Sequence, residues 1–211
     1  MNDLKKYIGK TWIWIVFLIA FLGFLDIASD VFKHEIIWID DVAYKWVHSF
    51  RKEYLNSIMI FITNLCSPIT LLLICLCTFL FVKNKKISYL MFINLCLSTL
   101  LNIVFKYTFQ RSRPIGYNLI IENGYSFPSG HSMVSMAFYG LIFYFIYKSA
   151  FNKKLKILLM FLISLLIFFI GISRIYLGVH FASDVIAGFM ISIIYLILIT
   201  RYIKKYNLIS F

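Results

Sequence analysis

The sequence predicts an all-α fold, a six-transmembrane helical bundle with an amphipathic helix in the first outer loop, forming one domain over residues 1–211. Three observations predict it. The chain is 62% hydrophobic and only 14% charged, with a mean hydropathy of +0.87, outside the usual range of soluble domains. Its apolar residues gather into six runs, at about 8–28, 57–82, 87–105, 131–148, 155–172 and 182–203. Several approach the roughly 20 residues needed to cross about 30 Å of hydrocarbon. Finally, the charges between the runs are sorted by sign, as expected of a chain that crosses a bilayer repeatedly.

The first run, "TWIWIVFLIAFLGFL", follows Lys5, Lys6 and Lys10 as a signal peptide would. It is bulky and Trp-rich, and no small-x-small cleavage site follows it, so it reads as an uncleaved span. In the segment after it, Ile36, Ile39, Ala43, Trp46, Val47 and Phe50 recur at helical spacing, with Asp40, Asp41, Lys45 and His48 on other faces. That pattern fits a helix lying in the outer interface with Trp38 and Trp46 at headgroup level; a helix packed only on protein fits it equally. Pro68 can kink the second run, and Gly171 and Gly188 can let later helices approach closely. Cys66, Cys75, Cys77 and Cys96 all fall within predicted spans, without metal-ligand spacing, and read as buried free thiols.

Six alternating spans place both termini, "KNKK" (83–86) and the segment from Lys148 to Lys156 on one side. That side carries thirteen Lys and Arg against one acid, Asp3, whereas the other carries eight bases and eight acids. The positive-inside rule then assigns both termini to the cytoplasm. The net charge of +12 is thereby explained as a topology signal and a contact for anionic membrane lipids, not a nucleic-acid footprint.

Three polar segments emerge together on the outer side: "KYTFQRSRP" (106–114), "FPSGHS" (127–132) and "SRIYLGVHFASD" (173–184). Each has a bland explanation alone. Lys106, Arg111 and Arg113 can snorkel to headgroups, and Pro128, Ser129 and Gly130 can simply start a helix. Together they are functional candidates, because ionisable groups at a bilayer edge need partners. His131 sits at a helix N-terminus, where free N–H groups welcome an anion. With Lys106, Arg113 and Arg174, such a pocket offers a phosphoryl group the electrostatic stabilisation that its transfer needs.

His180 and Asp184 lie one helical turn apart, so the carboxylate can fix the imidazole tautomer and free the other nitrogen as base or nucleophile. Spacing alone does not decide which histidine attacks, although the i+4 aspartate favours His180, with His131 as the acid.

The three segments, Lys106-x6-Arg113-Pro114, Pro128-Ser129-Gly130-His131 and Ser173-Arg174-x5-His180-x3-Asp184, resemble the three-part signature of the type 2 phosphatidic acid phosphatase family, in order and spacing. The resemblance implies a metal-independent phosphatase without cofactor, with a six-helix core and an extracytoplasmic active site; separately, a composition rich in Lys, Ile, Asn and Phe and the small size suggest a bacterial inner or plasma membrane. It implies that His180 is the nucleophile forming a phosphohistidine, held by Asp184, and that His131 protonates the leaving oxygen. Lys106, Arg113 and Arg174, with Ser129 and the Gly130 backbone, would hold the phosphate oxygens. Arg111 is not a signature position and receives no catalytic role. Vanadium-dependent haloperoxidases carry the same signature but are soluble, unlike a chain with six apolar runs.

The implied substrates are lipid phosphates such as phosphatidate, phosphatidylglycerol phosphate or undecaprenyl diphosphate, and no protein partner is implied. A transporter or scramblase that binds phosphate headgroups without hydrolysis is the alternative. It needs the cations but not an aspartate-oriented histidine beside a second histidine. Substrate selectivity is expected in the segment from Ser29 to Asn56 and in "IGYNLIIENGYSF", neither of which carries a readable code.

Overall fold

A computed structural model describes residues 2–35, 37–116 and 118–209, with side chains from Thr11 onward. Ile36, counted above in the helical stripe of the first outer loop, lies outside the described residues, as does Tyr117. The described residues form eight α-helices: α1 (Asn2–Phe32), α2 (Trp38–Ser49), α3 (Glu53–Asn64), α4 (Pro68–Phe81), α5 (Lys85–Phe109), α6 (Gly130–Lys148), α7 (Lys153–Tyr176) and α8 (Ala182–Lys205).

Four helices are long and apolar enough to cross a membrane: α1 from Thr11, α5, α7 and α8. The pair α3–α4 is a fifth candidate, bent by 47°. The bend lies where the sequence expects a kink, but its form is a break: Ser67 caps α4, its side chain accepting the Thr70 N–H, and Pro68 follows as the first helical residue. The freed Leu65 carbonyl accepts a hydrogen bond from the Tyr139 hydroxyl at 2.6 Å. The remaining expected span corresponds to α6, the hub of the bundle, which packs against α5, α7 and α8 and buries Met133, Ala137, Phe138 and Leu141. Outward-facing Leu18, Leu73, Leu100, Phe161 and Phe168 give the other helices an apolar exterior suited to lipid.

The thiols depart from expectation. All four are free, but only Cys66 and Cys75 are buried, and Cys66 lies in the α3–α4 break rather than in a span.

Two local features set the level of the polar cluster. First, α7 ends in a Schellman motif: Gly178 adopts φ +72°, its N–H donates to the Ile175 carbonyl at 3.0 Å, and the Val179 N–H donates to the Arg174 carbonyl at 3.2 Å. The turn is only five residues long before α8 begins, so Arg174 and His180 face one region from opposite sides of it. Second, a Cβ on Gly188 would stand 3.0 Å from the Ser129 carbonyl and 3.2 Å from the Met133 nitrogen. The missing side chain lets α8 lie directly on the first turn of α6. The Ser129 N–H then donates to the Asp184 carbonyl at 3.0 Å, locking the two helix starts together.

Helix α2 corrects the sequence reading of its faces. Asp40 is buried on the same side of α2 as Val47, with Ala43 also packed inward against Ile175, Leu177 and Val179. Trp38, Val42, Trp46 and Phe50 are exposed instead. The apolar stripe therefore divides, because Asp40 finds polar partners at the start of α8 that the sequence spacing does not reveal.

Candidate active site

The C-terminal ends of α5 and α7 and the N-terminal ends of α6 and α8, with the connection 110–129, enclose the polar cluster. Asp184, the third residue of α8, is fully buried, and His180 is 3% exposed. The Asp184 Oδ2 atom accepts the Phe181 N–H at 2.9 Å, filling an otherwise open donor at the helix start. It also accepts the Ser126 hydroxyl and lies 3.3 Å from His180 Nδ1. Because a carboxylate only accepts, this nitrogen carries the hydrogen, which Ser126 Oγ shares at 3.3 Å. His180 Nε2 then has its lone pair free, and Arg113 Nη1 donates to it at 3.2 Å.

Burial drives the His180 imidazole down to about 4, against the opposing pull of the Asp184 hydrogen bond and charge. The ring is accordingly neutral at pH 7.

The cations converge on one acidic side chain. Arg174, fully buried, donates through Nη2 to Glu122 Oε1 and through Nη1 to Thr63 Oγ1 at 2.7 Å; its Nε has no partner. Arg113 Nη2 lies 3.5 Å from Glu122 Oε2. Burial alone would raise the Glu122 carboxyl, but the Arg174 charge and hydrogen bond, then His131 and Arg113, hold it below the ordinary carboxylate value. The neighbouring carbonyls are taken as well: Arg113 donates to Asn123 and Gly124, at 3.1 and 2.9 Å, and Lys106 Nζ to Tyr125 at 2.6 Å. A carboxylate and three successive carbonyls thus cover the cations.

His131 lies in the first turn of α6, within electrostatic range of Arg174, Glu122, His180 and Lys106. Ser129 is turned inward as the cap of α6, its Oγ accepting from the Ser132 N–H and hydroxyl at 3.4 and 3.0 Å. Gly130 follows it, with no room for a side chain: a Cβ would stand 2.9 Å from Asn102 Oδ1. Asn102 in turn donates to the Pro128 carbonyl at 3.2 Å and fixes the turn. All eight sequence candidates therefore lie at one end of the bundle. Lys106 and Ser129 engage backbone and the α6 cap rather than the other charged candidates. Beside His180 a cavity of about 560 Å³ opens, lined among others by Arg113, Asp41, Tyr44 and Lys45.

This constellation agrees with the comparison to known proteins, in which the family model described as PAP2 superfamily matches residues 87–208. The chain belongs to the PAP2 superfamily. It is 32% identical over 189 residues to the phosphatidylglycerophosphatase B of Bacillus subtilis (strain 168), covering 88% of this chain and 93% of that protein. To an undecaprenyl-diphosphatase of Sulfolobus acidocaldarius it is 25% identical over 193 residues, 86% of each.

Among solved structures, the transmembrane PAP2-type phosphatidylglycerolphosphate phosphatase of Bacillus subtilis is similar with a TM-score of 0.81 and 32% identity, over 90% of this chain and 96% of that one. Aquifex aeolicus LpxE shares the fold at a TM-score of 0.62 and 23% identity, over 75% and 92%. The apolar helices and these relatives make this PAP2 chain a multi-pass membrane protein.

Sequence reasoning missed several groups around the PAP2 signature. Ser126 stands two residues before Pro128 with no pattern to mark it. Arg111, read only as a snorkelling cation, donates to Asp184 Oδ1 at 2.7 Å and to Asp40 Oδ2 at 2.8 Å. Glu122 lies in a connection without periodicity, and Thr63 in an apolar run. The only available signal for Asp40 was its charge on a helix otherwise suited to a membrane surface.

Proposed function

We propose that this PAP2 protein is a membrane-embedded, metal-independent lipid phosphatase that hydrolyses a phosphomonoester or diphosphate through a phosphohistidine. The observation that carries the reading is His180: its Nδ1–H is held by buried Asp184, and its Nε2 lone pair opens towards a cluster of cations.

In the first step, Nε2 attacks phosphorus, and the bond from phosphorus to the lipid or lipid phosphate oxygen breaks. His131 supplies the proton to that oxygen. Lys106, Arg113 and Arg174, with Ser129 and the Gly130 N–H, stabilise the charge on the equatorial oxygens, supplying the neutralisation that a metal provides in other phosphatases. The incoming phosphate displaces the Glu122 carboxylate from Arg174 and draws Arg113 off Nε2, exposing the lone pair. Water, deprotonated by His131, then attacks the phosphohistidine; the P–N bond breaks and inorganic phosphate leaves.

The proposed topology has six spans. The sixth is α6, whose 19 residues rise about 28 Å. Both termini are cytoplasmic, supported by the thirteen bases on that side, and the site is extracytoplasmic. In this arrangement α2 lies in the outer interface, exposing Trp38, Val42, Trp46 and Phe50 to the bilayer.

The relatives supply two members of the substrate panel, phosphatidylglycerol phosphate first, on the 32% identical protein, then undecaprenyl diphosphate, and the signature adds phosphatidate. Purified protein in detergent, without divalent metal, is expected to release phosphate from at least one of them, and His180→Ala to abolish release. Headgroup-dependent lipid flux without phosphate release would establish the transporter reading instead.

A further inference from the structure

Arg111 and Asp40 lie outside the family signature, yet they form a continuous polar chain into the candidate nucleophile. The Arg111 guanidinium spans two carboxylates. Nη1 donates to Asp184 Oδ1 and to Ser183 Oγ, both at 2.7 Å, and Nη2 donates to Asp40 Oδ2 at 2.8 Å. Its outer face stacks on Phe181, 4.1 Å from the ring centre. The Arg111 side chain is 15% exposed, Asp40 8% and Asp184 0%, so the three charges interact with little screening.

Asp40 does more than neutralise the arginine. Its Oδ1 accepts the Ser183 N–H at 2.7 Å and its Oδ2 the Ser183 hydroxyl at 2.8 Å. Ser183 is the second residue of α8, so a carboxylate from α2 caps the helix that carries Asp184. Arg111 is also bound through its backbone: its carbonyl accepts the Ser126 N–H at 2.8 Å. One residue therefore holds both groups that share the His180 Nδ1 hydrogen, Asp184 by its side chain and Ser126 by its main chain.

None of these contacts reaches the cations around Glu122, and both forks of the guanidinium are used on carboxylates and Ser183. We propose that Arg111 and Asp40 are positioning residues of the hydrolysis. Arg111 fixes the Asp184 carboxylate so that it holds His180 in the Nδ1–H tautomer with Nε2 aimed at phosphorus, and Asp40 fixes Arg111. Asp40 reaches the wall of the cavity beside His180, but both its oxygens are taken by Ser183 and Arg111, so neither residue is assigned a contact with the phosphate. The inference rests on the phosphohistidine reading above and adds to it a dependence of the nucleophile on α2, an element outside the signature.

The test compares wild type, Asp40→Asn, Asp40→Glu, Arg111→Lys, Arg111→Gln and the Asp40→Asn/Arg111→Gln double variant in detergent. Each is assayed for phosphate release from the preferred lipid and for inhibition by inorganic phosphate, which probes the phosphate pocket without a bond to His180. Asp40→Asn and Arg111→Gln are expected to lower kcat by about 10–100-fold, the scale for partners that orient a functional histidine. KM and the phosphate inhibition constant stay within about twofold, because the phosphate pocket is intact. The double variant is expected to lose little more than Arg111→Gln, since both act through one chain. Arg111→Lys and Asp40→Glu recover part of the loss.

Independently of turnover, the far-downfield proton resonance of the His180 Nδ1–H···carboxylate bond is expected in wild type, absent in His180→Ala, and shifted or lost in Arg111→Gln and Asp40→Asn. Wild-type kcat with an unmoved resonance in both variants overturns the proposal. So does parallel loss of kcat and inhibition by inorganic phosphate in the near-isosteric Asp40→Asn, which would assign Asp40 to the fold or the phosphate pocket. If wild type releases no phosphate from any lipid, the hydrolase reading fails, and the resonance still reports whether Arg111 and Asp40 hold His180.

Discussion

Arg113 donates a hydrogen bond to His180 Nε2, at 3.2 Å, so a signature cation sits on the lone pair that would attack phosphorus. The same nitrogen, Nη1, also donates to the Val179 carbonyl at 2.8 Å, just before the histidine in the chain. The guanidinium is thus tied to the backbone that carries the nucleophile. It can tilt towards an arriving phosphate without leaving the site.

Arg113→Lys removes the fork that serves both Val179 and the phosphate position, and a single ammonium cannot reproduce it. The expected result is a fall in kcat/KM of about 10²–10³, the usual cost of one preorganised donor to a developing oxyanion. Steady-state kinetics on the preferred lipid checks this; retention of more than half of wild-type kcat/KM would count against a phosphate-binding role.

The pH profile follows from the low basicity of His180. Burial pushes its imidazole down to about 4 from an ordinary value of about 6.5. The His180 limb of kcat/KM is expected well below pH 6.5, because that ratio reports the free enzyme. Stability carries the matching sign. Above about 6.5 the ring is neutral both folded and unfolded, and nothing is lost. As pH falls from there towards 4, the unfolded chain takes up a proton that the folded one refuses, so stability declines. Thermal unfolding of wild type and His180→Gln across that range should separate this contribution.

Ser126→Ala deletes a hydroxyl that donates to Asp184 and shares the His180 Nδ1 hydrogen. A hydrogen bond to a charged, buried group is worth about 1.5–3 kcal/mol, and that much stability is expected to go. Activity should fall about tenfold with KM nearly unchanged, because the phosphate pocket is left whole. A chemical-denaturation curve and a kinetic assay on the same preparation test both halves.

Gly188→Ala forces a methyl group against the Ser129 carbonyl and the Met133 nitrogen, which are backbone atoms that cannot turn aside. Overpacking of this kind costs about 1–3 kcal/mol, and here it also pushes α6, which carries His131, away from α8, which carries Asp184. Gly140→Ala makes a closer nominal contact, 2.4 Å, but with the end of the Leu196 side chain, which can rotate. Activity is expected to drop sharply in the first variant and little in the second, read as phosphate release at equal protein concentration.

Much of the site was legible because its parts are local. His180 lies in the five-residue turn after α7 and Asp184 four residues later in the first turn of α8, with Arg174 at the end of α7, so all three are close in the chain and spacing brings them together. The rest depended on long-range packing. Asp40 meets Ser183 143 residues away, and Thr63 meets Arg174 111 residues away, distances over which hydrophobic periodicity carries no information. Pro68 likewise marked where the second run bends but not that the bend is a full break, in which Tyr139 from another helix satisfies the freed Leu65 carbonyl. The faces of α2 were misjudged for a related reason. A stripe of apolar residues shows that a helix is two-sided, but not which side meets a partner when an acid on it can cap another helix.

Glu122 gives the cluster a further property. Its carboxylate is a ligand on a leash: attached to the connection between α5 and α6, it competes for Arg174 and Arg113 at an effective concentration that does not fall on dilution. In the proposed hydrolysis a lipid phosphate has to outcompete it on entry, and free inorganic phosphate, which lacks the apolar chain that anchors a lipid nearby, faces the same competitor for rebinding. The tethered acid thus sets an affinity threshold that a dianion presented by the bilayer can pass more readily than one arriving from solution, favouring product expulsion over product inhibition.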